Sequence, residues 1–452
     1  MTSFPATVTP NSPAEEPEER TSSPYNATFA ACYIANTATM IAVSCTFRYD
    51  DFVHLHGGTA FDLGLIVGLG TLGALTSRAM QAFGLDRIGP RVMWLSCLAV
   101  YIGSVLFHTQ LDNVTQPPVY IARMMMMLGL AGAFGASLTF VSQAGPVGRM
   151  GELLGMLGTS GFVGLAIGPS LSDWLLGDSP QMSDINRMFY TAAGLASLAW
   201  SMAWWATRHA PRPVERRWPS LSSIRQFHSG TLLIVAAAMG LGLSLPGVFV
   251  RSFVRQAGLG GIGRFFLVYA TVALIVRIAT RSASDRIGIR PVVLTGMCFL
   301  SASMMSFLLV STSATLVIPA MLTGVAHALL FPAVVSGGNL SFPLHYRGLA
   351  TTLTLAMFDV GNLIGQPLAG LSVRIAELSG LPPHGTMFVV VATLIGTAAA
   401  IYAIRPPRVL SYAEAMSREA ASDDGQAASA VVTEAIVTDS CHSEDPVAAS
   451  AS

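Results

Sequence analysis

Asp359 lies inside a long apolar stretch, 12 residues beyond Arg347, which on a helix is roughly 18 Å at 1.5 Å per residue. An ionisable side chain so placed in a nonpolar run is costly, so it is a functional candidate by default. A carboxyl there suits a group that takes up and releases a proton. The plainer reading is a structural acid hydrogen-bonded within its own helix, with Asn362 as the partner. Arg123 and His327 interrupt two other apolar stretches. His327 could titrate near neutral pH, although a lone histidine in such a position is more often a hydrogen-bonded packing residue. The run Met124–Met127 could line an adaptable apolar pocket, with core filling as the simpler alternative.

A second set of charges sits at two short polar loops, Asp86-Arg87-Ile88-Gly89-Pro90-Arg91 and Asp285-Arg286-Ile287-Gly288-Ile289-Arg290. The glycine permits a tight turn because it tolerates positive φ. The arginines suit an anionic leaflet, and the aspartates suit the positive ends of helix dipoles. Arg78 and Arg277 each precede their loop aspartate by eight residues. They are read as gating partners or as snorkelling anchors. No H-E-x-x-H or G-x-S-x-G motif is present, and no His/Asp cluster marks a loop, so an integral membrane enzyme is a remote reading. Cys32, Cys45, Cys97, Cys298 and Cys441 are scattered without metal-ligand spacing. No metal, cofactor or catalytic residue is expected.

The elements that hold these residues follow from composition. Of 452 residues, 52% are hydrophobic and 11% charged, against about 25% charged in an ordinary soluble protein. Mean hydropathy is +0.57. Such a chain cannot cover a water-facing surface, and its apolar stretches are read as spans of roughly 20 residues each. About twelve are legible, giving an all-α membrane protein. Residues 1–26 and 406–452 are read as disordered tails, 27–207 and 231–405 as six-helix halves, and 208–230 as a polar, Arg-rich linker. Every basic residue is arginine. With both termini inside, the arginines favour inner loops, leaving Arg48, Arg187, Arg251, Arg255, Arg264 and Arg374 for the outer ones. The lipid bilayer is the expected solvent, a monomer the expected state, and equal acidic and basic counts give no hint of a nucleic-acid partner.

The halves are related. Arg78, Asp86, Gly89 and Arg91 recur as Arg277, Asp285, Gly288 and Arg290, each 199 residues later. Arg149 and Pro169 recur as Arg347 and Pro367 at an offset of 198. Duplicated halves around a midplane site are a device for alternating access.

The paired loops resemble the signature between the second and third helices of the major facilitator superfamily, with its echo between helices eight and nine. The likeness covers roughly residues 27–405, and the second half is most similar to arabinose-efflux-like and drug-antiporter relatives through Phe265, Phe266, Tyr269, Arg277, Arg347, Gly348, Asp359, Gly361, Gly365 and Pro367. The resemblance implies two pseudo-symmetric six-helix bundles. It also implies that Asp86 latches near Gly348 and Asp285 near Gly151. Gly155, Gly164, Gly168 and Pro169 are similar to the superfamily's antiporter motif, and Arg123 to its proton-coupling arginine. This chain departs from the family at Ala82, Arg281, Pro90, Met127, Ser172 and Asp173. Proton-coupled export of a small organic solute is the expected activity. The alternatives are uptake by proton symport and a transport-incompetent sensor.

Overall fold

The computed structural model describes residues 25–144, 150–208, 229–281, 283–342 and 347–405. The expected tails, apart from Tyr25 and Asn26, and most of the expected linker therefore lie outside the described residues. What is described is helical throughout. The first half contains α1 (Ala27–Cys45), α2 (Tyr49–Leu55), α3 (Ala60–Ile88), α4 (Pro90–His108), α5 (Pro117–Ala144), α6 (Met150–Leu176) and α7 (Met182–Thr207). The second contains α8 (Leu232–Gln256), α9 (Gly263–Ala279), α10 (Ala283–Ile287), α11 (Ile289–Ser306), α12 (Val317–Leu340), α13 (Arg347–Leu378) and α14 (Pro383–Ile404).

Among the described residues, ten helical segments are long and apolar enough to cross a membrane. The α1–α2 pair counts as one of them, interrupted by a 3-10 turn at Thr46–Arg48. Two more helices complete a set of twelve. At 17 residues, α9 is slightly short, and α7 carries Asp184 and Arg187 in its first turns. Both are packed as fully as their neighbours, α7 against α1 and α4, and α9 against α6 and α12. Outward-facing Ile121, Trp174, Leu198, Ile275 and Ile364 are exposed, an apolar belt that only lipid can cover.

The internal repeat is carried into the packing. In the first half α3 and α4 pack on α5, α1 on α6 and α7, and α4 on α7. In the second, α9 and α11 pack on α12, α8 on α13 and α14, and α11 on α14. These five pairings are equivalent under the sequence offset, so the fold is two pseudo-symmetric six-helix bundles. The bundles meet at two equivalent crossings, α3 with α13 and α6 with α9, and where α2 and the Thr46–Arg48 turn meet α8.

The repeated glycines explain the two tight corners. Gly89 has φ 82° and Gly288 φ 88°, each between one helix and the next. A side chain is strained at such values. Arg91 Nη1 then donates to the carbonyl of Arg208, and Arg290 Nη2 to that of Ala403 at 2.6 Å. Each arginine thus caps the carbonyl end of the last helix in its own half. Arg208 also lies 4.8 Å over the Trp205 ring.

Candidate functional site

Two groups of charges lie within the helices, one towards each end of the molecule. The first is at the α3–α13 crossing. Gly64 and Gly68 on α3 let the helix approach α13 at Gln366, Pro367 and Leu363, and Gly370 sits against Ala60 and Phe61. Further along, towards Gly89 and Gly288, Arg78 Nε donates to Asp359 Oδ2 at 3.1 Å. The two side chains are only 11% and 8% exposed. This pair joins one bundle to the other. Asn362 is not the partner of Asp359: its Oδ1 accepts from Ser244 of α8, and the Gln366 amide donates to Ser244 Oγ at 2.7 Å. The preference is physical, since a guanidinium within reach of a buried carboxylate gives a stronger, charge-assisted bond than an amide.

The second group lies at the opposite end. Arg48 Nε and Arg251 Nε both reach Asp51 Oδ2, at 2.6 and 2.9 Å, and Arg255 Nη1 lies 2.7 Å from Asp50. Asp173 stands 3.5 Å from Arg48, and its Oδ2 accepts the N–H of Gly263 at the positive end of α9, at 2.6 Å. Three arginines and three aspartates therefore balance within one cluster drawn from α2, its preceding turn, α6 and α8. Arg48, Asp50, Asp51 and Arg251 are buried. Three of these arginines were expected in outer loops. They lie in or beside helices because each finds a carboxylate there, which lowers the cost of removing it from water. The sequence did carry a signal: Asp50 and Asp51 stand together near the end of the first span, and Asp173 stands where the antiporter motif ends in glycine.

The remaining candidates are dispersed. His327 Nδ1 lies 2.7 Å from the Tyr269 hydroxyl, with Phe162 and Phe331 around its ring. These neighbours place it at the meeting of α6, α9 and α12. Arg123 is buried in the first bundle, its guanidinium 4.6 Å over the Tyr49 ring and donating to Met126 Sδ at 3.4 Å. The hydroxyls of Tyr49 and Tyr101 and Arg123 Nε are buried without a hydrogen-bond partner. Gly164 and Gly168 seat α6 on Met40, Ile41, Ser44 and Cys45 of α1, and Ser44 Oγ donates to the Gly164 carbonyl at 2.6 Å. Pro169 is inside α6, and Gly155 faces open space. Arg286 is exposed. The side chains of Asp86, Arg87, Asp285 and Arg347, and the surroundings of Gly151, lie outside the described residues, as do the two latches assigned to the loop aspartates.

Twelve spans in two repeated bundles, meeting around charges that bridge them, set a clear expectation for comparison with known proteins. The family model for the Major Facilitator Superfamily matches residues 27–365. The chain belongs to the Major Facilitator Superfamily. It is a multi-pass membrane transporter rather than an enzyme. Within the superfamily it is 23% identical over 366 residues to the multidrug resistance protein MdtG of Escherichia coli, covering 76% of this chain and 85% of that one. The nucleoside transporter NupG superposes with a TM-score of 0.66 at 12% identity, over 84% of this chain and 99% of that one. The D-xylose-proton symporter gives 0.63 at 13%, over 83% and 95%. A bacterial homologue of the human lysosomal transporter Spinster, in an inward-facing and unoccupied conformation, gives 0.65 at 13%, over 83% and 96%. These superfamily structures share the fold.

Proposed function

We propose that this chain exports a small organic solute in exchange for protons, by alternating access between its two bundles. The observation that carries this reading is the Arg78–Asp359 pair, a buried ionic contact between bundles far along two membrane helices. A carboxylate there holds α3 to α13 while it is charged. Taking a proton removes the charge that Arg78 faces, so the contact weakens and the bundles can part. Binding of protons and bundle movement are then linked through one bond.

The moving units are residues 27–207 and 231–405, joined by 208–230, in a monomer with both termini in the cytoplasm. The loops at Asp86–Arg91 and Asp285–Arg290 lie on the cytoplasmic side, consistent with the arginine bias, and act as gates. The cluster around Asp51 closes the outer side. The resemblance to a protein named for multidrug resistance supports export over uptake.

Everted and right-side-out vesicles given an imposed pH gradient test this with labelled sugar, organic-cation and organic-anion probes. Gradient-dependent accumulation in everted vesicles, lost in Asp359→Asn, is the expected result. Accumulation only in right-side-out vesicles would reverse the direction, and flux indifferent to the gradient would remove the proton from the mechanism.

A further inference from the structure

The two bundle crossings are equivalent by sequence, yet among the described residues only one has its ion pair. Arg78 on α3 corresponds to Arg277 on α9 at an offset of 199, and Asp359 on α13 corresponds to position 161 on α6 at an offset of 198. Position 161 is glycine. Arg277 has no hydrogen bond or ion pair among the described residues. The other acids of α6 do not replace the missing one: Glu152 accepts from the Tyr25 hydroxyl, and Asp173 belongs to the cluster at the opposite end.

Arg277 nevertheless keeps the inward direction of its counterpart. It continues the stripe Phe266, Ala270 and Ala273, all buried, at helical spacing along α9. It is itself only partly exposed. On α6 the lipid-facing stripe is Met156, Ile167 and Trp174, which are exposed, and Gly164 and Gly168 face α1. By helical geometry, 100° per residue, Gly158 points to the remaining inner side, and Gly161 lies between that side and the face that Gly168 turns to α1. A Cβ at Gly155, Gly158 or Gly161 would meet nothing within 4 Å. Near Gly263 the same two helices are in close contact through Ser170 and Asp173. The crossing is therefore closed at the Asp51 end and open at the Arg277 level, where His327, Tyr269 and Phe162 form an aromatic ceiling.

We infer that Arg277 binds the anionic group of the transported solute in this cleft, so that the solute is a small organic anion with an apolar body. A guanidinium without a carboxylate presents a planar fork of donors that matches carboxylate, sulfonate or phosphonate oxygens. The glycine wall leaves room for the body of the ligand, and the aromatic ceiling gives it an apolar contact. A solute anion would then complete at α6–α9 the charge pairing that Asp359 supplies at α3–α13. This deepens the transport reading above and rests on it.

Benzenesulfonate, anionic at every working pH, and neutral benzenesulfonamide are suitable probes, with binding measured on full-length protein in phosphatidylcholine nanodiscs. Millimolar benzenesulfonate should bind, and benzenesulfonamide should bind about tenfold more weakly or not at all. Arg277→Gln should lose the preference and Arg277→Lys keep part of it. Gly161→Asp, which gives Arg277 an internal partner in open space, should abolish it while the protein remains folded by thermal melt. Equal binding of both probes, no binding of either, or benzenesulfonate binding unchanged in Arg277→Gln would overturn the inference. Nanodiscs containing phosphatidylglycerol separate solute from lipid: displacement of benzenesulfonate by that lipid would make Arg277 a headgroup anchor and overturn the solute assignment. No pH gradient is involved, so failure here leaves proton coupling standing, and failure of gradient-driven flux leaves anion binding standing.

Discussion

The α3–α13 and α6–α9 crossings occupy equivalent places in the repeat and differ in where they carry acids. At the first, glycines bring the helices together near Ala60 and Gly370, and Arg78 meets Asp359 beyond them. At the second, Asp173 fastens α6 to the start of α9, and the position equivalent to Asp359 is Gly161. The contrast separates what the duplication preserves from what function has changed. Helix order, turn glycines and capping arginines are duplicated. Of the acids, Asp86 recurs as Asp285, whereas Asp359 and Asp173 have no acidic counterpart at the equivalent positions, Gly161 and Leu371.

The strongest way to break this comparison is at the end where both crossings are pinned. Asp51→Asn should leave Arg48 and Arg251 buried without their shared carboxylate, a loss of about 3–5 kcal/mol. It should appear as a lowered melting temperature and as new labelling of cysteines placed near Gly177. An unchanged melt would mean that the cluster is incidental. Asp173→Asn touches only the α6–α9 side. Replacing a carboxylate acceptor at the start of α9 should cost about 1.5–3 kcal/mol and loosen that crossing while α3–α13 stays intact, as read by hydrogen exchange in each helix pair. Equal loosening of both crossings would show that they are not separable. Gly89→Ala and Gly288→Ala sharpen the duplicated part. Each should cost about 1–3 kcal/mol from backbone strain at positive φ. The two costs should agree within experimental error in denaturation; a large difference would mean that the corners are not equivalent.

Much of the architecture was legible beforehand because its causes are local. The low charge content, the spacing of apolar runs and the constant offset between Asp86 and Asp285 pointed to twelve helices in two bundles. Gly89 and Gly288 declared themselves through turn chemistry that only their type permits. The site was legible one residue at a time but not in its pairings. Asp359 was marked by its apolar setting, whereas its partner Arg78 comes from 281 residues away, and no periodicity encodes which helix of one bundle faces which helix of the other. The Asp51 cluster was missed for a related reason. Arg48, Arg251 and Arg255 sit at span ends, where a charge reads as an ordinary loop residue until tertiary structure brings three acids to meet it.

In the proposed cycle the charge on Asp359 holds α3 to α13 and a proton releases it. The most direct measurement is a spin-label distance between Met80→Cys on α3 and Thr352→Cys on α13, with Cys298 and Cys441 replaced by serine, recorded against pH in nanodiscs. The distance should be short at high pH and lengthen as the pH falls and Asp359 gains its proton. In Asp359→Asn the long distance should prevail at every pH. A pH-independent distance in the parent protein, or an Asp359→Asn variant that shifts with pH just as the parent does, would contradict it.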